Sequence, residues 1–404
     1  MTTRISVAAA GMVATAWLAG MSSAAAQNPP QRDLIESMPI RVGPFGLSPT
    51  LTITDMGVDS NIFNEAGTPE RDFTMTMTPR LDARVHAGRA LLSIGTAPGF
   101  VYYQNHPDQR SINYVADGRA DLDFGRLQAF AAGTFADTRE RLNAEIDARA
   151  SRTVHRGEAG AQLTIAPKSA VSVSLRRAVL RFDPDEEFDG ISLSHTLNSQ
   201  TDDLDGAFHF FLTPLTTLSL TTTVQHDRFD ESPSRNADSV RIAPGVKFDP
   251  AAFIGGSLAA GYKRFDPANP ALQSFSGLVV DGLLGTTIAD RTHLDLTVKR
   301  DVAYSFEETE PYYLSTSARL TLTQHLAGRF DVQATGGRER LGYRGFGQGS
   351  GRTDRFSLAG AGLIYRVREN TRIGMNVEYA HRTSDRPDRE FRRTRVFGSL
   401  WYGL

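Results

Sequence analysis

The chain has 404 residues with 46 acidic and 44 basic side chains, and this near-balance excludes nucleic-acid binding as a function class. It contains no cysteine, which removes disulfides, thiolate metal sites and cysteine nucleophiles at once. After residue 26 no apolar run approaches the ~20 residues that a spanning helix needs, so a helical membrane protein is excluded, whereas a barrel is allowed because only alternate residues must face lipid.

Residues 1–26 read as a secretory signal peptide, with Arg4 as the charged start, an apolar stretch over 7–20, and Ala24-Ala25-Ala26 as the cleavage site before Gln27. No cysteine follows that site, so a lipoprotein is excluded. Residues 27–46 form a periplasmic lead in which Pro29, Pro30, Pro39 and Pro44 oppose regular helix or strand. The lead is short enough to tuck into a lumen as a partial plug.

From Leu47 to Leu404 the pattern is period two, and alternation and turn signals predict about eighteen strands. In 73–86, Phe73, Met75, Met77, Leu81, Ala83 and Val85 alternate with Thr74, Thr76, Thr78, Arg80, Asp82, Arg84 and His86. The same pattern recurs over 217–227, 239–249, 326–335 and 371–380. Tight turns are expected at 86–89, 125–126, 167–169, 213–216, 249–253, 289–290, 323–325 and 366–370. Between them fall longer polar connections at 56–72, 105–110, 137–152, 183–198, 228–236, 266–274, 301–311, 341–352 and 382–390. Strict alternation of short and long is the asymmetry of an outer-membrane barrel, with short periplasmic turns and long extracellular loops. The fold expected is therefore all-β, a transmembrane antiparallel up-and-down barrel over 47–404 in the bacterial outer membrane. A soluble sandwich or propeller is disfavoured because blade-type repeats are absent.

The last strand supports this reading. Leu400, Tyr402 and Leu404 alternate up to the final residue, as expected of a C-terminal strand that closes the barrel and is read by the barrel-assembly machinery. Parity assigns Arg80, Asp82, Arg84, Asp117, Arg119, Asp121, Asp123, Arg241, Lys247 and Lys263 to the lumen. It also assigns Asp295, Lys299, Arg319, Arg329, Asp331, Glu378 and Arg395 there. The signs are mixed, so no strong ion filter follows, and cross-strand salt bridges would account for many of them. Tyr103, Phe211, Phe265, Tyr313 and Trp401 share that parity and can offer sugar-stacking surfaces. Arg228, Arg264 and Arg300 recur every 36 residues, near strand tops, as candidate contacts to lipopolysaccharide phosphates. Arg177 falls on the lipid face near mid-membrane, and a β-bulge is expected to turn it inward.

Signals for catalysis are poor: no Gly-x-Ser-x-Gly, P-loop or His-Glu-x-x-His occurs, and neither His155 nor His195 has a serine and an acid at a useful spacing. No cofactor, metal or catalytic residue is expected, and the chain reads as no enzyme. The acids of 183–187, read with Asp59, Asp202 and Asp203 as loop residues, suit Ca²⁺ chemically, but a solvated loop is the favoured reading.

An alternating strand at 48–53 precedes Asp59-Ser60-Asn61-Ile62-Phe63, and Arg-Phe-Asp recurs at 181–183, 228–230 and 264–266. These segments and the chain length resemble the family called putative β-barrel porin 2. The resemblance implies an outer-membrane barrel often associated with exopolysaccharide or capsule secretion, hence a passive conduit for polysaccharide with secretion components as partners. A general or small-solute diffusion porin is the alternative, and a non-conducting structural or adhesive barrel a further one.

Overall fold

The computed structural model describes residue 35 and residues 38–326, 328–346 and 351–404. The expected signal segment and half of the lead lie outside the described residues. Eighteen long strands make the wall. They are β1 (Phe45–Asp59), β2 (Asp72–Ala87), β3 (Ala90–Tyr103), β4 (Ser111–Asp123), β5 (Leu127–Arg141) and β6 (Arg149–Ala166). Next come β7 (Ser169–Phe182), β8 (Ser199–Thr213), β9 (Thr216–Phe229), β10 (Ala237–Phe248), β11 (Ile254–Pro267) and β12 (Phe275–Ile288). The ring is completed by β13 (Thr292–Tyr304), β14 (Tyr312–His325), β15 (Phe330–Arg344), β16 (Thr353–Arg368), β17 (Thr371–Thr383) and β18 (Phe391–Gly403).

Each strand pairs antiparallel with the next, and β1 pairs with β18 from Thr50↔Gly403 to Asp59↔Arg395, so the sheet is a closed barrel with no free edge. At ~4.8 Å between strands and a tilt of ~40°, eighteen strands enclose a ring about 35 Å across at the backbone. The turns at one end are short. Gly88 and Gly125 take φ of +64° and +81° there, and Ala289 and Asp290 are both left-handed, the conformation of a tight hairpin whose twist matches the strands. The turn before β15 occupies 326–329 rather than 323–325, because β14 keeps its ladder to His325↔Asp331. Connections at the opposite end are long, and both ends of the wall lie on the short-turn side.

Ahead of β1, Ile40–Val42 pairs back onto Phe45–Leu47, so the segment between Pro39 and Pro44 forms a short strand after all. Proline forbids a ladder donor at its own position, not between two prolines. Met38 is buried against Gly46, where a β-carbon would collide with its sulfur.

One face of the wall is apolar and exposed, including Ile94, Val173, Leu175, Leu220, Ile242 and Leu363. This band is edged by exposed aromatics: Tyr102, Tyr114, Tyr262 and Tyr379 toward the long loops, and Phe124, Phe253, Phe330, Tyr365 and Tyr402 toward the turns. An apolar belt with two aromatic girdles is the surface a bilayer selects. The other face is inward: Asp227 accepts a 2.8 Å bond from Tyr304, four strands away, which only side chains inside the ring can reach.

Candidate functional site

Because directly paired residues share a face, the register sorts the charged side chains. Arg80, Asp82, Arg84, Asp117, Arg119, Asp121, Arg241, Lys247 and Lys263 lie on the inward face, as do Lys299, Arg319, Asp331, Glu378 and Arg395. Arg329 does not. It lies in the turn before β15, where its guanidinium donates to the Val367 carbonyl at 3.1 Å. Asp123 ends β4 and accepts from the Gly125 N–H at 2.7 Å, so it caps a turn rather than lining the lumen.

Many inward charges brace the wall. Arg80 spans Asp82 at 2.7 Å and Asp117 at 3.0 Å, and Arg119 meets Asp121 at 2.8 Å. Lys263 holds Asp301 at 3.0 Å, Arg366 reaches Asp331 at 3.1 Å, and Arg395 joins Glu378 at 2.6 Å to Asp55 at 2.8 Å. Sequence parity missed Arg176, which gathers Asp203 at 2.9 Å and Asp205 at 3.2 Å on the neighbouring strand. Asp202 and Asp203 belong to β8, not to a loop, since the ladder begins at Ser199. Arg241, Lys299 and Arg319 form no ion pair among the described residues. Lys299 and Arg319 are diagonal neighbours on β13 and β14, roughly 7–8 Å apart at the backbone.

The mouth at the long-loop end is crossed by packed loops. Residues 142–148 leave the wall between β5 and β6, yet Glu145 accepts from the Ser305 hydroxyl of the loop between β13 and β14, eight strands away in a ring of eighteen. Ile146, Phe188, Leu193, Leu197 and Phe306 pack there with Phe182 and Phe229 into one apolar cluster. Phe188 and Phe306 meet edge to face at 4.9 Å, with the Arg389 guanidinium 4.4 Å over Phe188.

Arginines tie this cap to the wall. Arg382, on the inward face of β17 and 1% exposed, donates to the Ala144 carbonyl at 2.9 Å and to Asp147 at 2.9 Å, and also pairs with Asp354. Arg352 joins Asp354 at 2.9 Å to Glu307 at 3.1 Å. Arg235 donates to the carbonyls of Ser305, Phe306, Glu307 and Pro311, which fixes the loop backbone without an acid. Burial pushes the Glu145 carboxyl up to about 8 and raises that of Asp147. Glu145 Oε2 is enclosed with no partner, which suits a protonated carboxyl.

The inward aromatics are largely consumed by this packing. Tyr103, Phe265 and Tyr313 are buried, stacked with Arg149, Tyr304 and Tyr312, and Tyr343 respectively, so they offer no open sugar platform. Phe211 and Trp401 stay half-buried on the inner wall, and Arg372 sits 5.3 Å from the Trp401 ring.

On the outer face, Arg228 pairs with Asp238 at 2.7 Å and Arg264 with Asp266 at 2.8 Å, while Arg300 donates to the Thr316 hydroxyl and the Leu278 carbonyl. Arg177 also points outward. No bulge turns it, since the β7–β8 ladder runs without a shift through Arg177↔Asp202, and Asp202 neutralises it at 2.5 Å. Leu400 and Tyr402 face outward beside Ile53 and Leu51, and Leu404 follows them, exposed beyond the end of β18. Among the described residues no group of three acidic or histidine side chains could hold a metal ion. His209 hydrogen-bonds Ser172 at 2.9 Å, but no carboxylate among the described residues completes a triad.

The Asp59–Phe63 motif forms a clasp at the barrel seam. Asp59, 2% exposed, receives Arg393 of β18 at 2.9 Å and the Asn61 N–H at 3.1 Å. Asn61 bridges the Glu65 carbonyl at 2.8 Å and the Arg392 carbonyl at 3.2 Å. The family model described as Putative beta-barrel porin 2 matches residues 34–401. The chain belongs to that family. Its barrel is similar to outer-membrane proteins of Pseudomonas aeruginosa: OpdK (TM-score 0.50, 12% identity) and OccK2, also called OpdF, in complex with glucuronate (TM-score 0.51, 10% identity). Each match covers 89% of this chain and 98% of the other, and at such identity the likeness is one of fold. A search of curated proteins returned no match. This porin-family barrel is a protein of the bacterial outer membrane.

Proposed function

We propose that this porin-family barrel is a passive diffusion pore for small hydrophilic solutes, with a preference for anions, and that it catalyses no reaction. The observation that carries the reading is the cap over the mouth. Loops 142–148, 183–198 and 305–311 meet across the ring and are held to the wall by buried arginines, which narrows the entrance to gaps between packed loops. A small solute can pass such gaps, whereas an extended polysaccharide would require the whole assembly to move. The charged inner wall fits either cargo, and it is the cap that favours the small solute. Preference for anions rests on Arg241 and Arg319, inward cations with no acid opposite them on either neighbouring strand, and on Lys299, which forms no ion pair with Asp281 opposite it. The glucuronate bound to OccK2 is a carboxylate of suitable size. No energy-coupling motif occurs in the sequence, so transport follows the solute gradient.

A clean gene deletion tests this against the export expected from the family resemblance. Slower uptake of small organic acids with unchanged surface polysaccharide supports the pore. Lost polysaccharide with unchanged uptake overturns it.

A further inference from the structure

Outside the lumen, the outer face of β13–β18 carries a cluster of cations that the transport reading does not use. Two neighbouring rows of the sheet build it. One runs Arg300↔Thr316↔Arg340↔Arg355↔Thr383, and the next runs Ala318↔Arg338↔Ser357↔His381↔Arg392. Pairing partners share a face, and the exposed Arg338, Arg340, Arg355 and Arg392 mark this one as outward.

The cluster has no internal counter-charge. Arg338, Arg340, Arg355 and Arg392 form no ion pair among the described residues, and Arg300 bonds a hydroxyl and a carbonyl. The acids on the same strands point the other way: Glu339 accepts from Ser315, Asp354 holds Arg352 and Arg382, and Glu378 holds Arg395. Asp385, in the loop above, accepts from the Thr353 N–H instead. Arg340 and Arg355 stand directly opposite each other, an arrangement of like charges that destabilises a strand pair. On the other half of the barrel, outward arginines at a similar height are neutralised by Asp202, Asp238 and Asp266. The counter-charge for this half must therefore come from what surrounds it.

Depth identifies that surrounding. Tyr379, an exposed girdle aromatic, lies two residues below His381 on β17, with ring centroids 6.4 Å apart. Girdle aromatics mark the headgroup level, so the arginines stand where outer-leaflet headgroups lie. We propose that Arg300, Arg338, Arg340, Arg355, His381 and Arg392 form a binding site for the phosphate groups of an outer-leaflet glycolipid, the lipopolysaccharide headgroup. Guanidinium forks match phosphate oxygens in bidentate pairs, and a bisphosphorylated headgroup would satisfy two or three of them together. Arg228 and Arg264, by contrast, are already neutralised and contribute little.

The test titrates purified full-length protein in detergent with bisphosphorylated lipid A and with its dephosphorylated form, reading bound glycolipid by native mass spectrometry. Wild type should bind the phosphorylated form at least tenfold more tightly, a comparison that needs no variant. Arg338→Gln/Arg340→Gln/Arg355→Gln should lose that tenfold, while Arg228→Gln/Arg264→Gln should change binding by less than twofold. Equal binding of the two lipids by wild type overturns the site, as does full binding by the triple variant. Inorganic phosphate binding as tightly as the glycolipid would also overturn it, because the site would then serve a free ion.

Discussion

Replacing Arg382 by alanine should open the pore without unfolding the barrel. The side chain is 1% exposed and holds the cap through the Ala144 carbonyl and Asp147, while Asp354 of β16 anchors its guanidinium to the wall. Removing one partner of a buried ion pair costs about 3–5 kcal/mol, because the charges left behind have lost their solvation and their partner. Asp354 keeps Arg352 at 2.9 Å and Asp147 keeps Arg389 at 3.6 Å, so the low end applies. At about 1.4 kcal/mol per tenfold, about 3 kcal/mol shifts the balance between closed and displaced cap by roughly a hundredfold. The wall should survive, since the β16–β17 and β17–β18 ladders use only the backbone of Arg382. Single-channel recording in planar bilayers reads the outcome: larger conductance with frequent transitions in Arg382→Ala, and an intermediate trace in Arg382→Lys. Unchanged conductance and noise in a variant that still shows barrel heat-modifiability would refute the reasoning.

The cap should also respond to pH. The Glu145 carboxyl is pushed up to about 8 by burial, against an ordinary value near 4.5, so the closed state binds an extra proton between these pH values. Closed-cap stability therefore falls as pH rises from about 4.5 to 8 and levels off above; conductance noise should grow over that window, and the growth should weaken in Glu145→Gln, where only the raised Asp147 carboxyl remains. At the seam, Asp59→Ala removes the acceptor of Arg393 and should lower the temperature at which the barrel loses its compact gel mobility, whereas the exposed-pair variant Asp266→Ala should not. Lys299→Gln/Arg319→Gln should reduce the chloride-to-potassium permeability ratio in a salt gradient, and an unchanged reversal potential would remove the basis for anion preference.

Strand number, turn alternation and the facing of most wall residues were legible because a barrel repeats one rule, period two, over the whole chain. The readings that failed lie where that rule stops. Arg329 has lumen parity but sits in a turn, and the 326–329 turn resembles continuing alternation because Leu326 and Phe330 are apolar. Arg177 seemed to demand a bulge because parity considers one strand at a time, whereas its neutraliser, Asp202, comes from the next strand. The cap was invisible for a similar reason. Nothing in the spacing of Glu145, Ser305, Arg382 and Arg389 brings them together; closure of the ring does. The Asp59–Phe63 motif was readable as a signature but not as a seam clasp, since Arg393 lies 334 residues away. Tyr103, Phe265 and Tyr313 kept the inward parity expected of them, yet loop and strand-top packing buried them.

The central claim, a capped pore for small solutes, meets its most direct test in proteoliposome swelling with uronates and oligosaccharides of increasing length. The account predicts rapid entry of monosaccharide-sized solutes, uronates ahead of neutral sugars, and a sharp cut-off as chain length grows. Absence of any influx, or passage of long polysaccharide as readily as monosaccharide, would contradict it.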